Sequence, residues 1–506
     1  MSTSLPRNVA MNWIGLGLKM IVSFFLLPFI VRHLGTESYG EYAVLVALFG
    51  YSAVLDLGFR AAILRYGALF SSDDDTPRLN AVLGTIFIYY LAVALIVVAL
   101  GVTLYYVAPK WIVPEGSGPH FTLYMLLFSI VAATFFFRIG WKSVLCARER
   151  YDLSNAVDIS AFFLRTLIIV AALELGYGIE ALIAADIVEN LAVSIGHRQV
   201  LRRLFPRLKL DWAGARGSDR VIVARYSLWA FLNSLSNNLR FRAPSLVIAW
   251  TLTTTDVAFY NIAARLQSYL MQLTTAMSSP FRPRFSALQA RDEWDELTRL
   301  FIRGTRWISI FALGTTGILF IYADRFILAW MGPGFEPGVI VLRILMLGLC
   351  VELGQMLTSG LLYAIGRHQL LSAFALFEAT FILLGGILLV KGYGLMGVAM
   401  SVSAPIILNK VIFQPLYVCH VLKLPVGRYV KSAFLKPALA GMISLAVVFV
   451  MYRILPGRGL PQIGLQMLMG LILHAGAAWL IALEDADRDR VALIARRYLP
   501  RPDWKS

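Results

Sequence analysis

Charge is what this sequence has least of. Only 15% of its 506 residues are charged, against about a quarter in an ordinary soluble domain. A chain that is also 58% hydrophobic cannot cover a water-facing surface with polar groups, so its apolar residues must face lipid. Cysteine is nearly absent as well. Cys146, Cys350 and Cys419 are the three present, far apart and without ligand-like spacing, which excludes a disulfide framework and a zinc site. There is no Ser/His/Asp set, no cluster of metal ligands and no phosphate-cradling glycine loop, so no catalytic residue, metal or cofactor is expected. The N-terminal MSTSLPRNVAMNW runs into an apolar stretch without an A-x-A-like cleavage site and reads as a retained helix.

What is present is a succession of apolar runs. A helix needs about 20 such residues to cross the hydrocarbon core. That ruler places about fourteen spans, near 9–31, 42–66, 79–108, 121–145, 155–176, 180–201, 221–250, 256–281, 304–330, 338–365, 370–391, 394–419, 434–455 and 461–483. Short connections rich in glycine and proline, such as Gly332-Pro333-Gly334, favour an all-α membrane bundle over a β-barrel, whose segments are about ten residues long and alternate.

The 46 Lys and Arg outnumber the 30 Asp and Glu, and in a soluble chain that excess would raise the question of nucleic acid. Here the cations fall mostly on one side of the spans, roughly five to one, so most of the +16 describes orientation, with both termini cytoplasmic. No nucleic-acid partner is implied. A basic stretch at 202–220 separates spans 1–201 from spans 221–419; a helix pair at 420–483, almost devoid of charge between 434 and 483, and a basic tail at 484–506 follow. PFIVRHLGTESYGEY, ending at Tyr42, aligns without gaps with LVIAWTLTTTDVAFY, ending at Tyr260, as two parallel repeats would. The charge-free pair reads as lipid-facing additions to a twelve-helix core, where an apolar groove for a lipid tail and a plain stabilising role are both open.

Ionisable groups inside spans cost several kcal/mol (about 3 each) and tend to mark cavities or pathways. Candidates for a substrate cavity are Lys19, Arg60, Arg138, Arg165, Asn233, Asn237, Arg240, Arg242 and Arg265. Candidates for ion or proton coupling are Asp56, Asp186, Glu189, Glu352 and Glu378. Each has a plainer reading. Asp56 and Arg60, four residues apart, can pair along one helix. Asp186 and Glu189 can neutralise a neighbouring helix's arginine, and the asparagines can join helices by hydrogen bonds. The surplus of deep cations is what those readings leave over. A cationic space suits an anion, and arginine's fork suits phosphate.

The run from Asn12 through Pro28 into RHLGTESYGEYAVLVALFGYSAVLDLGF, with Tyr-Gly-x-Tyr and Asp56-x-Gly58, resembles the polysaccharide-type flippases of the multidrug/oligosaccharidyl-lipid/polysaccharide exporter superfamily. The resemblance implies two six-helix lobes in a V, alternating access, and an undecaprenyl-pyrophosphate-linked oligosaccharide carried from the cytoplasmic to the periplasmic leaflet. It implies Lys19, Arg60, Arg240 and Arg265 as pyrophosphate ligands, a bacterial inner-membrane location, and membrane lipids and other polysaccharide-assembly membrane proteins as partners. Two alternatives stand beside it. A multidrug antiporter would need cavity-facing acids, and a membrane-bound polysaccharide polymerase or ligase would need a large periplasmic loop, whereas the longest expected one, around 108–120, holds only His120 as a base near neutral pH.

Overall fold

Lipid offers no partner to a backbone N–H or C=O, and an apolar run of spanning length satisfies its own groups as a helix. In the computed structural model, residues 4–70, 76–111, 113–114, 117–211, 219–367, 369–457, 459–485 and 487–488 are described, with side chains except at 4–12, 108–111 and 219–234. Among the described residues all regular structure is helical. The chain divides into two units, Met1–Ile262 with Ala375–Ser401, and Ala263–Phe374 with Val402–Ser506.

The first unit contains α1 (Ser4–Leu34), α2 (Thr36–Gly50), α3 (Phe59–Leu69), α4 (Thr76–Trp111), α5 (Phe121–Ala147), α6 (Tyr151–Glu174), α7 (Ile179–Leu204) and α8 (Asp219–Thr251). From α9 (Thr254–Ser278) the chain enters the second unit, with α10 (Phe281–Ala290), α11 (Trp294–Ile321), α12 (Ala323–Met331), α13 (Glu336–Gly354) and α14 (Met356–Ala364). The middle of α15 (Gln369–Leu408) belongs to the first unit again. The chain ends in the second with α16 (Gln414–Val421), α17 (Val426–Val430), α18 (Lys436–Ile454) and α19 (Leu460–Ile481).

Ten described segments are long and apolar enough to cross a membrane. The expected spans at 180–201, 221–250 and 256–281 are present as α7, α8 and α9 but fall outside that set, because asparagine, arginine and acid side chains dilute their apolar faces. The expected spans at 370–391 and 394–419 count as one segment, although Gly394, at φ 53°, kinks α15 between them.

The span expected at 42–66 is not one helix. After α2 the chain tightens into a 3-10 stretch, Tyr51–Asp56, and then turns through Leu57 at φ 47° and Gly58 at φ 82° before α3 begins. A leucine in the left-handed region is strained, and Asp56 offsets that strain by partnering the new helix end. Its carboxylate accepts the Arg60 backbone N–H at 3.3 Å and the Tyr90 hydroxyl from α4. Asp56 therefore serves the backbone of α3, and the intrahelical Asp56–Arg60 side-chain pair is not formed.

Part of the basic stretch after α7 is fixed to α4. The Asn80 amide donates to the Arg207 carbonyl at 3.1 Å and accepts the Lys209 N–H at 2.9 Å. Residues 212–218 of that stretch, and the tail beyond Arg488, lie outside the described residues. Elsewhere in the unit glycine permits close approach: a Cβ on Gly40 of α2 would overlap the Thr254 carbonyl at the start of α9. Gly40→Val should lower the melting temperature of the detergent-purified protein by an amount corresponding to about 1–3 kcal/mol of overpacking. Gly17→Val, where a side chain would meet open space, should leave it unchanged.

In the second unit, Phe285, Phe301, Leu361 and Tyr429 anchor a core shared by α10, α11, α14 and α17. The last two helices pack against α11 and are tied to it. His474 of α19 bonds Ser444 of α18 at 2.8 Å and the Ile310 carbonyl of α11 at 2.9 Å. Midway along α11 sits a charge cluster absent from the sequence expectations. Arg306, 4% exposed, meets Glu484 at 2.7 Å and Asp487 at 3.5 Å, and Arg303 meets Asp487 at 3.1 Å. Arg306 holds the Glu484 carboxyl below the usual carboxylate range. That contribution is present above the ordinary carboxylate value and is lost as the pH falls through the lowered one.

Candidate functional site

The polar centre of the first unit is built from α2, α5, α6 and α7. Arg165 of α6 donates to Asp186 of α7 at 2.6 Å and lies 3.3 Å from Glu189, one turn further on. Arg138 of α5 meets Glu189 at 3.1 Å from one side and the Asn190 amide oxygen at 3.0 Å. Tyr42 of α2 donates its hydroxyl to Asp186 at 2.8 Å. Each acid thus has an arginine, as desolvated charges require. Arg138 and Lys142, a like-charged couple on one helix turn, are separated electrostatically by different acids: Lys142 pairs with Asp158 of α6. Lys19 stands over the Phe162 ring at 5.8 Å.

This network forms one wall of a cavity of about 250 Å³, lined also by Phe49, Gly50, Phe128, Phe135 and Arg242. Arg242 reaches it from α8. Its Nε donates to Asn238 at 2.9 Å and its Nη1 to the Val46 carbonyl of α2 at 2.8 Å. Gly50 makes the room, since a Cβ there would fall on the Arg242 guanidinium. Among the described residues no carboxylate lies within 4 Å of Arg242. The lining sets Arg138 and Arg242 against Asp186 and Glu189, and Arg165, which pairs with both acids without lining the cavity, makes the whole network one charge positive.

The expected site residues therefore separate into two groups. Arg138, Arg165 and Arg240 are engaged by acids; Arg240 pairs with Glu378 of α15 at 3.2 Å, both well buried. Arg242, Lys19, Arg60 and Arg265 have no carboxylate at ion-pair distance among the described residues, and Arg60 and Arg265 are exposed. Asn237 is exposed on α8, and the Asn233 side chain lies outside those described. Glu352 is buried on α13 in the second unit. The structure brings Arg138, Asp186, Glu189 and Arg242 to one cavity, pairs Arg165 with the two acids and brings Arg240 to Glu378; it places Glu352 and Arg265 in the other unit.

Tyr42, Asp158 and Glu41 were not expected. Asp158 was hidden by its place near a helix start, where an acid is ordinary. Glu41, 4% exposed, accepts the Gly118 N–H at 2.6 Å. That partner comes from a loop, which no helical periodicity could indicate.

Comparison with known proteins agrees with this architecture. A protein of Shigella flexneri named "Putative O-antigen transporter" is 21% identical over 437 residues, 82% of this chain and 98% of its own. A structure titled as the lipid II flippase MurJ in an inward closed conformation superposes with a TM-score of 0.70 at 15% identity, covering 96% of this chain and 99% of its own. An inward-facing multidrug resistance MATE family transporter of the MOP superfamily superposes at 0.67 and 14% identity, covering 80% and 95%. At those identities the superpositions establish the fold. The polysaccharide biosynthesis protein family model matches residues 29–339, more than half of the chain. This multi-pass membrane protein, with its arginine-lined cavity, belongs to the polysaccharide biosynthesis protein family.

Proposed function

We propose that the chain is a flippase that moves an undecaprenyl-pyrophosphate-linked oligosaccharide from the cytoplasmic to the periplasmic leaflet of a bacterial inner membrane. Both termini are cytoplasmic in this reading, and fourteen helices arranged as lobes 1–201 and 221–419 with a terminal pair alternate access to the two sides. Other membrane proteins of polysaccharide assembly consume the product. The observation that supports it most is Arg242: a half-buried guanidinium that faces a cavity, with carbonyl and amide acceptors but no carboxylate at ion-pair distance among the described residues. A pyrophosphate supplies the missing charge through the same fork. Asp186 and Glu189 are engaged by Arg165 and Arg138, which speaks against cation exchange at those acids.

The test is export. A strain lacking the chain should lose its surface glycan and accumulate the lipid-linked precursor on the cytoplasmic face. Arg242→Ala should reproduce that defect while reaching the membrane at wild-type level. Precursor that still crosses without the chain would overturn the reading, and normal export by Arg242→Ala would remove Arg242 from the path.

A further inference from the structure

Next to the charged cavity lies a second, chemically opposite space. Leu246, Val247 and Trp250 of α8 face Leu383 and Ile387 of α15 across a groove of about 350 Å³ with an almost wholly apolar lining. The α8 residues recur at helical spacing and so form one stripe, as do the α15 residues four apart. The two helices are in contact beside the groove: a Cβ on Gly386 would lie at van der Waals distance, 3.5 Å, from Val247. The groove is open, with Ile387 43% and Trp250 56% exposed.

The two spaces meet along the chain. Arg242 lines the cavity and Ala243, its neighbour on α8, lines the groove; on α2 and the 3-10 stretch after it, Gly50 and Ser52 line the cavity and Tyr51 the groove. Tyr51 lies within electrostatic reach of the Arg242 guanidinium. One ligand with an anionic head and a long apolar tail would satisfy both at once. A soluble anion would leave the groove empty, and a neutral hydrocarbon would leave Arg242 without a counter-charge.

We propose that the groove between α8 and α15 seats the proximal isoprene units of a prenyl pyrophosphate whose head is held at Arg242. This rests on the lipid-linked substrate proposed above and assigns its tail a place. The tail then lies against helices of the first unit while the head sits in that unit's own cavity.

The experiment is equilibrium binding of farnesyl pyrophosphate to the purified full chain in detergent, with inorganic pyrophosphate and farnesol as head-only and tail-only probes. Leu383→Trp and Ile387→Trp, which fill the groove, should each weaken farnesyl pyrophosphate by roughly tenfold and leave inorganic pyrophosphate unchanged. Arg242→Gln should weaken both. Leu388→Trp, at a position 73% exposed on the same helix, controls for bulk and for folding and should change neither. If the groove-filling variants bind farnesyl pyrophosphate within about twofold of wild type, the tail assignment is overturned and the substrate reading stands. If the wild type binds no farnesyl pyrophosphate, the substrate reading has failed as well. Displacement by dioleoylphosphatidylglycerol at equal concentration would assign the groove to bulk lipid and also overturn the proposal.

Discussion

Glu378→Ala should destabilise the first unit by about 3–5 kcal/mol, because removing one member of a buried pair takes a counter-charge from the other. Glu378 is 1% exposed and its carboxylate lies 3.2 Å from the Arg240 guanidinium. The pair joins α8 to the part of α15 that returns to this unit, so its loss should loosen both helices. Arg240→Ala should cost a comparable amount, and Arg240→Met/Glu378→Leu, which removes both charges at similar volume, should recover most of it. Thermal unfolding of the purified variants reads the stability; glycan export in cells reads the role. A double variant that is stable and exports would make the pair a structural tie. One that is stable but silent would keep Arg240 in the substrate path.

Arg165→Ala has an effect of the same order with a sharper signature. Arg165 serves Asp186 and Glu189 together, but Glu189 keeps Arg138 at 3.1 Å whereas Asp186 keeps only the Tyr42 hydroxyl. The orphan is therefore Asp186. Arg165→Ala/Asp186→Asn should regain most of the folded protein seen by size exclusion, and Arg165→Ala/Glu189→Gln should regain little. Arg165→Lys should fall short of wild type, since a point charge on a flexible stem cannot reproduce a fork that spans two acids. Equal rescue by the two double variants would show that the acids share their arginines evenly.

These cases show where the sequence was legible. Hydropathy located the helices because lipid leaves the backbone no alternative, and it also found the ends of the two polar helix stretches in α7 and α8. The neutralisation of Asp186 and Glu189 by arginines of neighbouring helices follows from the cost of a bare charge, which sequence alone conveys. Which arginine goes to which acid does not, since Arg138, Arg165 and Arg240 read alike. The structure spends three of the deep cations on acids, so the argument for an anionic ligand passes to Arg242, Lys19, Arg60 and Arg265. Arg242 was one candidate among nine; its decisive contact, the Val46 carbonyl, leaves no trace in side-chain identity. The break after Asp56 was also concealed. Asp-x-Gly at Asp56–Gly58 was visible, but a left-handed Leu57 between them was not, because leucine rarely adopts that conformation.

The clasp between Arg303, Arg306, Glu484 and Asp487 has a consequence for how the chain is made. Arg306 is buried midway along α11, yet both of its acids belong to a segment the ribosome delivers only after α19. Until then the guanidinium has the Ser432 carbonyl and none of its counter-charges. The middle of α11 therefore lacks its counter-charges during elongation, and the second unit completes itself from its C-terminal end, by a contact of high sequence separation of the kind that slows folding. A nascent chain stalled just after α19 should leave that stretch of α11 open to protease, and release of the following residues should close it.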